Sequence, residues 1–411
     1  MVKLLIGGSP CTYWSVAKTK NREIIAEGMG WELFLNYRIA RDKYKPDYFL
    51  YENNKSMSPA IRAQITHELG VEPVLINSAL VSAQNRQRLY WVGKRNPDGT
   101  YSKVDVEQPE DRGVLLRDVL ETGADTEKTY PLCVAQRGRY ANKDERTEQL
   151  AEPIRIGTIE NDAKKQDFDS QQYRVYSPDG KSVTLCGNGG GVGAKPGLYA
   201  VPTDCPALRV AEATAKGYTD ILPGECVDLT MPNSKTRRGR TMREKANCLT
   251  TSCQYYQYCG TLDKPIYEVR NGHITINGQQ YPIKLIDGHY IIRKLTVTEC
   301  KRLQTVPDSY EFPVSNSQAY KMLGNGWTVD VITNIMSHFT GLTEESVEVL
   351  SMYDGMSCGH IALDKLGANV TAYYATEIDK YAVQTTQHNF PETIQLGDAF
   401  QVRERDWGWR L

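Results

Sequence analysis

Two stretches of this sequence, one near each end, alternate short apolar runs with helical patterns, and that alternation constrains the fold more than any other feature. From Val2 to about Asn96 the runs KLLIGG, DYFLYEN, PVLINSAL and RLYWVG are interleaved with ELFLNYRIARDKY and SPAIRAQITHELG. Strands and helices in that order make a mostly parallel sheet with helices on its faces. Helical periodicity returns after Lys294 in TVTECKRLQ and TVDVITNIMSHF, and a polar connector follows at Thr340–Ser346. Beyond it VEVLSMYDG reads as a strand entering a glycine turn, SCGHIALDKLG as a helix, TAYYATEID as a second strand and KYAVQTTQHN as a second helix. Between about Pro109 and Tyr290, short β-like runs are broken by Gly, Asn, Asp and Pro. The simplest chain of this kind is one α/β domain interrupted by a β-rich insertion. We therefore expect residues 1–99 and 291–411 to form two parts of one domain, with 100–290 inserted between them.

Composition agrees and removes some functions. The 411 residues are enough for two domains at roughly 100–200 residues each. Lys plus Arg total 49 against 50 Asp plus Glu, so no global field draws the chain to nucleic acid and such a partner has to be met by a local patch. No run approaches the roughly 18 apolar residues of a membrane span, and MVKLLIGGSPC is too short in apolar sequence for a signal peptide. The ten cysteines include no C-x-x-C pair, which favours free thiols in a reducing compartment. These features lead us to expect a cytoplasmic protein with no membrane partner.

Both α/β stretches carry chemistry at the ends of their strands. Asp354-Gly355 ends a strand and Gly359 opens the next helix, a tight turn that lets backbone approach a ligand. About twenty residues on, the second strand ends in Glu377, placed to accept hydrogen bonds from ribose hydroxyls, and Asp398 ends the third unit, where it could read an exocyclic amine. The full G-x-G-x-x-G phosphate cradle is missing, which points to S-adenosylmethionine over a dinucleotide. At the other end Gly7-Gly8-Ser9-Pro10-Cys11 follows the first strand, Glu52-Asn53 follows DYFLY, and Gln84-x-Arg86-x-Arg88 leads into RLYWVG with both arginines on one face. Taken singly, these are a thiol, a carboxylate and a basic strand face with ordinary structural explanations.

Taken together they resemble the motif set of the DNA cytosine-5 methyltransferases. The first loop resembles that family's Pro-Cys nucleophile motif, Glu52-Asn53 its Glu-Asn motif and Gln84-Arg86-Arg88 its Gln-x-Arg-x-Arg motif. Arg293-Lys294-Leu295-Thr296 through Glu299, Arg302-Leu303-Gln304 and Pro307-Asp308 resembles the penultimate block, and Gly324-Asn325-Gly326-Trp327-Thr328-Val329 the last. Tyr353-Asp354-Gly355, Gly359, Glu377 with Ile378, and Asp398 are similar to the cofactor motifs. The resemblance implies a Rossmann-like fold with a mostly parallel seven-stranded sheet. It also implies S-adenosylmethionine as cofactor, held by these residues with Asn325 and Trp327, and double-stranded DNA as substrate, with no obligate protein partner and a bacterial or phage setting such as restriction-modification. It makes Cys11 the nucleophile at cytosine C6, Glu52 the group on the N3 edge, Arg86 the stabiliser of the O2 side, Asn53 a holder of the loop, and Arg88 a loop or phosphate anchor. The family places its cofactor motifs first, whereas here they come last, so the chain reads as circularly permuted between the family's third and fourth strands. Thr12, Asn54, Tyr353 and Thr305-Val306 depart from the family's usual residues without removing a group the chemistry needs.

The insertion occupies the place of the family's target-recognition domain. Lys235, Arg237, Arg238, Arg240, Arg243 and Lys245 surround a lone Glu244, a patch suited to phosphates or guanine edges. Thr184-Leu185 resembles the family's Thr-Leu pair near the flipped nucleotide, with Thr250 beside Leu249 as a competing candidate. GNGGGVG at Gly187–Gly193 lacks the Lys-Ser/Thr of a phosphate loop, and Cys248, Cys253 and Cys259 have no metal-site spacing, so no metal is expected. Two alternatives remain: an RNA cytosine methyltransferase of this fold, and an idle DNA-binding protein.

Overall fold

A computed structural model describes residues 1–15, 21–121, 132–133, 152–159, 171–187, 196–203, 208–221, 226–228, 236, 241–242, 255–257, 266–276 and 279–402. One sheet is built from β1 (Val2–Gly7), β2 (Tyr48–Asn54), β3 (Val74–Asn77), β4 (Gln87–Arg95), β5 (Ser346–Met352), β6 (Asn369–Thr376) and β7 (Ile394–Gly397). Across the sheet the order is β7-β6-β5-β1-β2-β4-β3, and the short strand Tyr101–Lys103 adds to β4 as an eighth member. Only the pairs made by β4 are antiparallel. The two ends of the chain therefore share one sheet, with β5 beside β1 and Gly7 opposite Met352.

Strand periodicity sends alternate residues to two helical layers. On one face Leu5, Phe49, Tyr51, Leu89 and Trp91 pack with Phe34, Tyr37 and Ala40 of α1 (Gly28–Tyr44) and Ile61, Ile65 and Leu69 of α2 (Pro59–Leu69). On the other, Leu4, Ile6, Leu50 and Val92 meet a group formed by α3 (Val297–Leu303), α4 (Asn316–Asn325), α5 (Val329–Met336) and α6 (Cys358–Leu366). The helix after β6, α7 (Lys380–Asn389), is capped by the Asp379 side chain. The boundaries of α2 follow from its sequence: Ser58 caps the Ile61 amide, Pro59 takes the first turn, and Gly70 ends it at φ 74°.

The insertion contributes a second sheet in which Arg155–Ile159, Arg174–Tyr176, Leu198–Pro202, Gly288–Lys294 and Ile266–Arg270 are consecutive neighbours, over its own apolar cluster. Its separation from the α/β domain is less sharp than a break at residue 100. Leu116, Val119, Leu185, Tyr199 and Val201 join the core shared with α5 and α6. Lys181 is fully buried and donates to the carbonyls of Ala79, Ser82 and Val114.

Two polar networks, one of them fully buried, hold the parts in place. Arg293, on the last strand of the inserted sheet, makes a two-pronged bond at 2.7 and 2.8 Å to Glu299 of α3, with both side chains out of water. Glu299 also accepts the Thr296 and Glu121 amides, and with Thr296 Oγ1 accepting the Glu299 amide it completes a T-x-x-E capping box. At the other site Asp354, after β5, accepts Ser351 Oγ (2.6 Å) and Tyr373 Oη (2.8 Å) on one oxygen and Ser357 Oγ on the other. This network holds a turn in which Tyr353 (φ 60°), Gly355 (φ 59°) and Ser357 (φ 55°) are all left-handed.

These groups make opposite predictions for stability. Glu299→Gln strands a buried guanidinium, and urea unfolding should show a loss of about 3–5 kcal/mol, much of it recovered when Arg293→Met is added. Burial pushes the Asp354 carboxyl from 3.8 up to about 6, so the proton it takes up adds stability below about pH 4, lost as pH rises through 6. Asp354→Asn should thus melt higher than wild type at pH 8, by up to about 3 kcal/mol at roughly 1.4 kcal/mol per pH unit, and the gain should vanish by pH 4.

Candidate active site

Parallel pairing of β1 with β2 puts the loop after Gly7 beside the end of β2. Gly8 has to be glycine, because a Cβ there would stand 2.9 Å from both the Glu52 carbonyl oxygen and its Oε2. Ser9 Oγ and Tyr51 Oη share a 2.6 Å hydrogen bond, and Asn53 Nδ2 donates to Ser9 O and to Tyr51 Oη at 3.2 Å each. Asn54 Nδ2 donates to Cys11 O at 3.2 Å. Cys11 follows, half-buried, at the start of a single helical turn, Cys11–Tyr13. Asn53 thus sits where a loop holder belongs. Ser9, Tyr51 and Asn54 share that work, which sequence reading missed; the only signal was that Tyr51, Glu52 and Asn53 are consecutive on a strand.

Glu52 is buried, and each of its oxygens has a partner: Oε1 is ion-paired with Arg88 Nε at 3.1 Å, and Oε2 accepts from Trp327 Nε1 at 3.1 Å. Antiparallel register explains the first contact, since Arg88 lies opposite Asn54 and next to the Tyr90 that faces Glu52. Arg86 was expected at the O2 side of a base, but its guanidinium is occupied by main chain. It donates to the carbonyls of Leu185 (3.1 Å), Gly324 (3.2 Å) and Gly326 (2.8 Å). Burial, with Arg88 nearby, pulls it down to about 10, so it is still charged at neutral pH. A cleft of about 390 Å³ opens beside these groups, lined by Asn54, Lys55, Asn85, Arg88 and Thr184 among others. Thr184 Oγ1 donates to Asn85 O at 2.6 Å, so Thr184 faces the cleft. Its neighbour Leu185, expected at DNA, is instead core. Arg237, Arg238, Arg240 and Thr250 lie outside the described residues, as do Cys248, Cys253, Cys259 and Asn188–Gly193.

Across the β5–β1 boundary the strands diverge to opposite sides, the position where open α/β sheets take ligands. A Cβ on Gly355 or Gly397 would meet nothing within 4 Å, so the turns after β5 and β7 face open space. Glu377 accepts the Gly355 amide at 2.9 Å and the Ile378 and Asp379 amides at 2.8 and 2.7 Å, which fixes its carboxylate at the rim. Ile378 beside it is 76% exposed, and the half-buried Asp398 accepts the Phe400 amide at 2.9 Å. Fixed acceptors, a bare apolar face and no phosphate cradle suit a nucleoside. Three further residues expected at the cofactor make contacts within the protein. Asp354 spends both oxygens on the internal network, Tyr353 Oη donates to Leu33 O at 2.7 Å, and Gly359 is packed on Ile6, whose Cδ1 would lie 2.3 Å from a Cβ. Asn325 is exposed and close to Gly187. Trp327 turns its indole to Glu52, with Nε1 donating to Oε2. No helix among the described residues is long and apolar enough to cross a membrane.

Comparison with known proteins follows the same lines. The orphan methyltransferase M.SPRI of Bacillus phage SPR is 24% identical over 393 aligned residues, covering 84% of each chain. M.Rho11sI of Bacillus phage rho11s is 26% identical over 459, covering 84% of this chain and 86% of its own. Among solved structures, the Entamoeba histolytica methyltransferase EhMeth aligns with a TM-score of 0.40 and 11% identity, over 82% of this chain and 76% of that one. The family described as C-5 cytosine-specific DNA methylase matches residues 1–340, from the Cys11 loop through the Trp327 segment. With that match spanning most of its length, the chain belongs to this family: it is a DNA cytosine-5 methyltransferase that uses S-adenosylmethionine.

Proposed function

We propose that this enzyme methylates a cytosine flipped out of double-stranded DNA, with Cys11 as the nucleophile. One observation carries the assignment: Asn53 and Asn54 hydrogen-bond the Cys11 loop beside Glu52 at the ends of β1 and β2, next to the open turn after β5. Cytosine C5 is a poor nucleophile, so the ring has to be activated first. The Cys11 thiolate adds to C6, and the electron pair moves toward N3 and O2. Glu52 bonds the N3 edge and offsets the charge that grows there. Arg86 acts from beneath, holding the Gly324 and Gly326 main chain and adding a fixed positive charge. S-adenosylmethionine, when bound, supplies the electrophilic methyl group. Glu377, Ile378 and Asp398 are the residues placed to hold its nucleoside. Loss of the C5 proton and of Cys11 then frees the product.

A stacked base cannot reach Cys11, so flipping costs a few kcal/mol. Lys55 and Arg88 at the cleft, Thr184, and the basic run containing Arg237, Arg238 and Arg240 are the groups we assign to DNA, with residues 100–290 as the target-recognition domain. We also infer that the chain is circularly permuted. Strand order supports this: β5, β6 and β7 run outward from the centre in sequence, as do β1 and β2 on the other side, and the chain visits the cofactor side last. A monomer acting in the cytoplasm of a bacterial or phage-infected cell fits the single-chain site and the phage setting of the relatives.

Cys11→Ala should lose DNA methylation by on the order of a thousandfold or more while still binding DNA. Wild type, but not the variant, should form a covalent adduct with 5-fluorocytosine DNA; methylation by Cys11→Ala or a missing adduct would sink the assignment. Methyl transfer to tRNA in place of DNA would favour the RNA enzyme, and no turnover on either the idle binder.

A further inference from the structure

We propose that Trp327 is a positioning residue for the carboxylate of Glu52, linking its aim to the cofactor turn; this rests on the role assigned above to Glu52. The resemblance made Trp327 a cofactor contact, but its polar atom is used elsewhere: Nε1 donates to Glu52 Oε2 at 3.1 Å. The catalytic loop presses on the same pair, since a Cβ on Gly8 would be 2.9 Å from Oε2 and 3.5 Å from Nε1. The first turn of α6, with Cys358, lies beside this segment. The preceding Gly326 lies close against the same turn, a Cβ there being 3.2 Å from Cys358 Sγ and 3.6 Å from Met356 Sδ. The Gly326-Trp327 pair therefore meets the loop, the carboxylate and the helix that follows Asp354-Gly355.

Donor chemistry says what this contact does. An indole N–H can only donate, so Trp327 holds Oε2 as an acceptor in every protonation state of Glu52. The oxygen left to address the base is Oε1, now on Arg88 Nε. Arg88 lines the cleft that DNA enters, whereas Trp327 is fixed by packing against the core. Arrival of DNA can draw Arg88 away and free Oε1, while Trp327 keeps the carboxylate pointed. Its role is in turnover, not in cofactor affinity.

Trp327→Phe retains an aromatic ring and loses the donor. It should lower kcat tenfold to a hundredfold, as expected for a hydrogen bond to a charged group. S-adenosylmethionine affinity and the KM for DNA should stay near wild type. Glu52→Gln should be strongly impaired, and adding Trp327→Phe to it should cost little more. 3-Benzothienylalanine at position 327, an indole-shaped ring without N–H, should reproduce the kcat loss if the phenylalanine variant folds poorly. The proposal is overturned by unchanged kcat in both variants, by a loss carried wholly by weaker cofactor binding, or by an equal loss in the Glu52→Gln background. Wild-type turnover by Glu52→Gln alone would instead overturn the role of Glu52 itself.

Discussion

A guanidinium that cannot shed its charge is buried at the junction of three distant stretches of chain, and the site is arranged around it. Arg86 needs acceptors for its N–H groups, and they come from residue 185 of the insertion and from 324 and 326 of the second catalytic segment. Leaving such a donor set dry and unpaired would cost several kcal/mol, so these segments assemble together or not at all. Gln304 repeats the device nearby, donating to Leu323 O at 2.6 Å and accepting from Thr328 Oγ1 at 2.8 Å. Each long polar side chain binds main chain, fixing backbone position in a way that apolar packing alone does not.

That cage explains how the two halves of the chemistry stay aligned. The Cys11 loop and Glu52 follow or end β1 and β2, while the Asp354-Gly355 turn follows β5, and the Gly7–Met352 register joins them through the sheet. Gly326 lies between, with its carbonyl on Arg86 and its neighbour Trp327 on Glu52. The core beneath is continuous from α5 and α6 into the base of the insertion. The second sheet is thus seated on the same layer that supports the strand ends carrying Cys11 and Glu52.

Much of this was legible in the sequence because it depends on local rules. Strand and helix periods marked the α/β domain, SPAIRAQITHELG marked α2, and glycines marked the turns at Cys11 and Asp354. What stayed hidden depends on partners far along the chain. Period-two alternation puts Arg86 and Arg88 on one face, yet only the fold shows that carbonyls 99 and about 240 residues away claim the first and Glu52 the second. Leu185 looked like a DNA contact because it adjoins Thr184, but neighbouring residues face opposite ways, one to the cleft and one to the core. Asp354 sits in a cofactor motif, but its burial among three hydroxyls could not be read from spacing.

The place of β1 in the sheet bears on how the chain is made. It is the first of the sheet's strands to leave the ribosome and one of the most central, flanked by β2 at Tyr48 and by β5 at Ser346. One edge can pair within about fifty residues of synthesis; the other waits for more than three hundred. Throughout that interval the nascent chain carries an open, apolar strand edge in its middle, the kind of surface that invites mispairing between chains. The same delay keeps an incomplete polypeptide, already bearing Cys11, from assembling a site until the last strands emerge, so translation itself orders the appearance of activity.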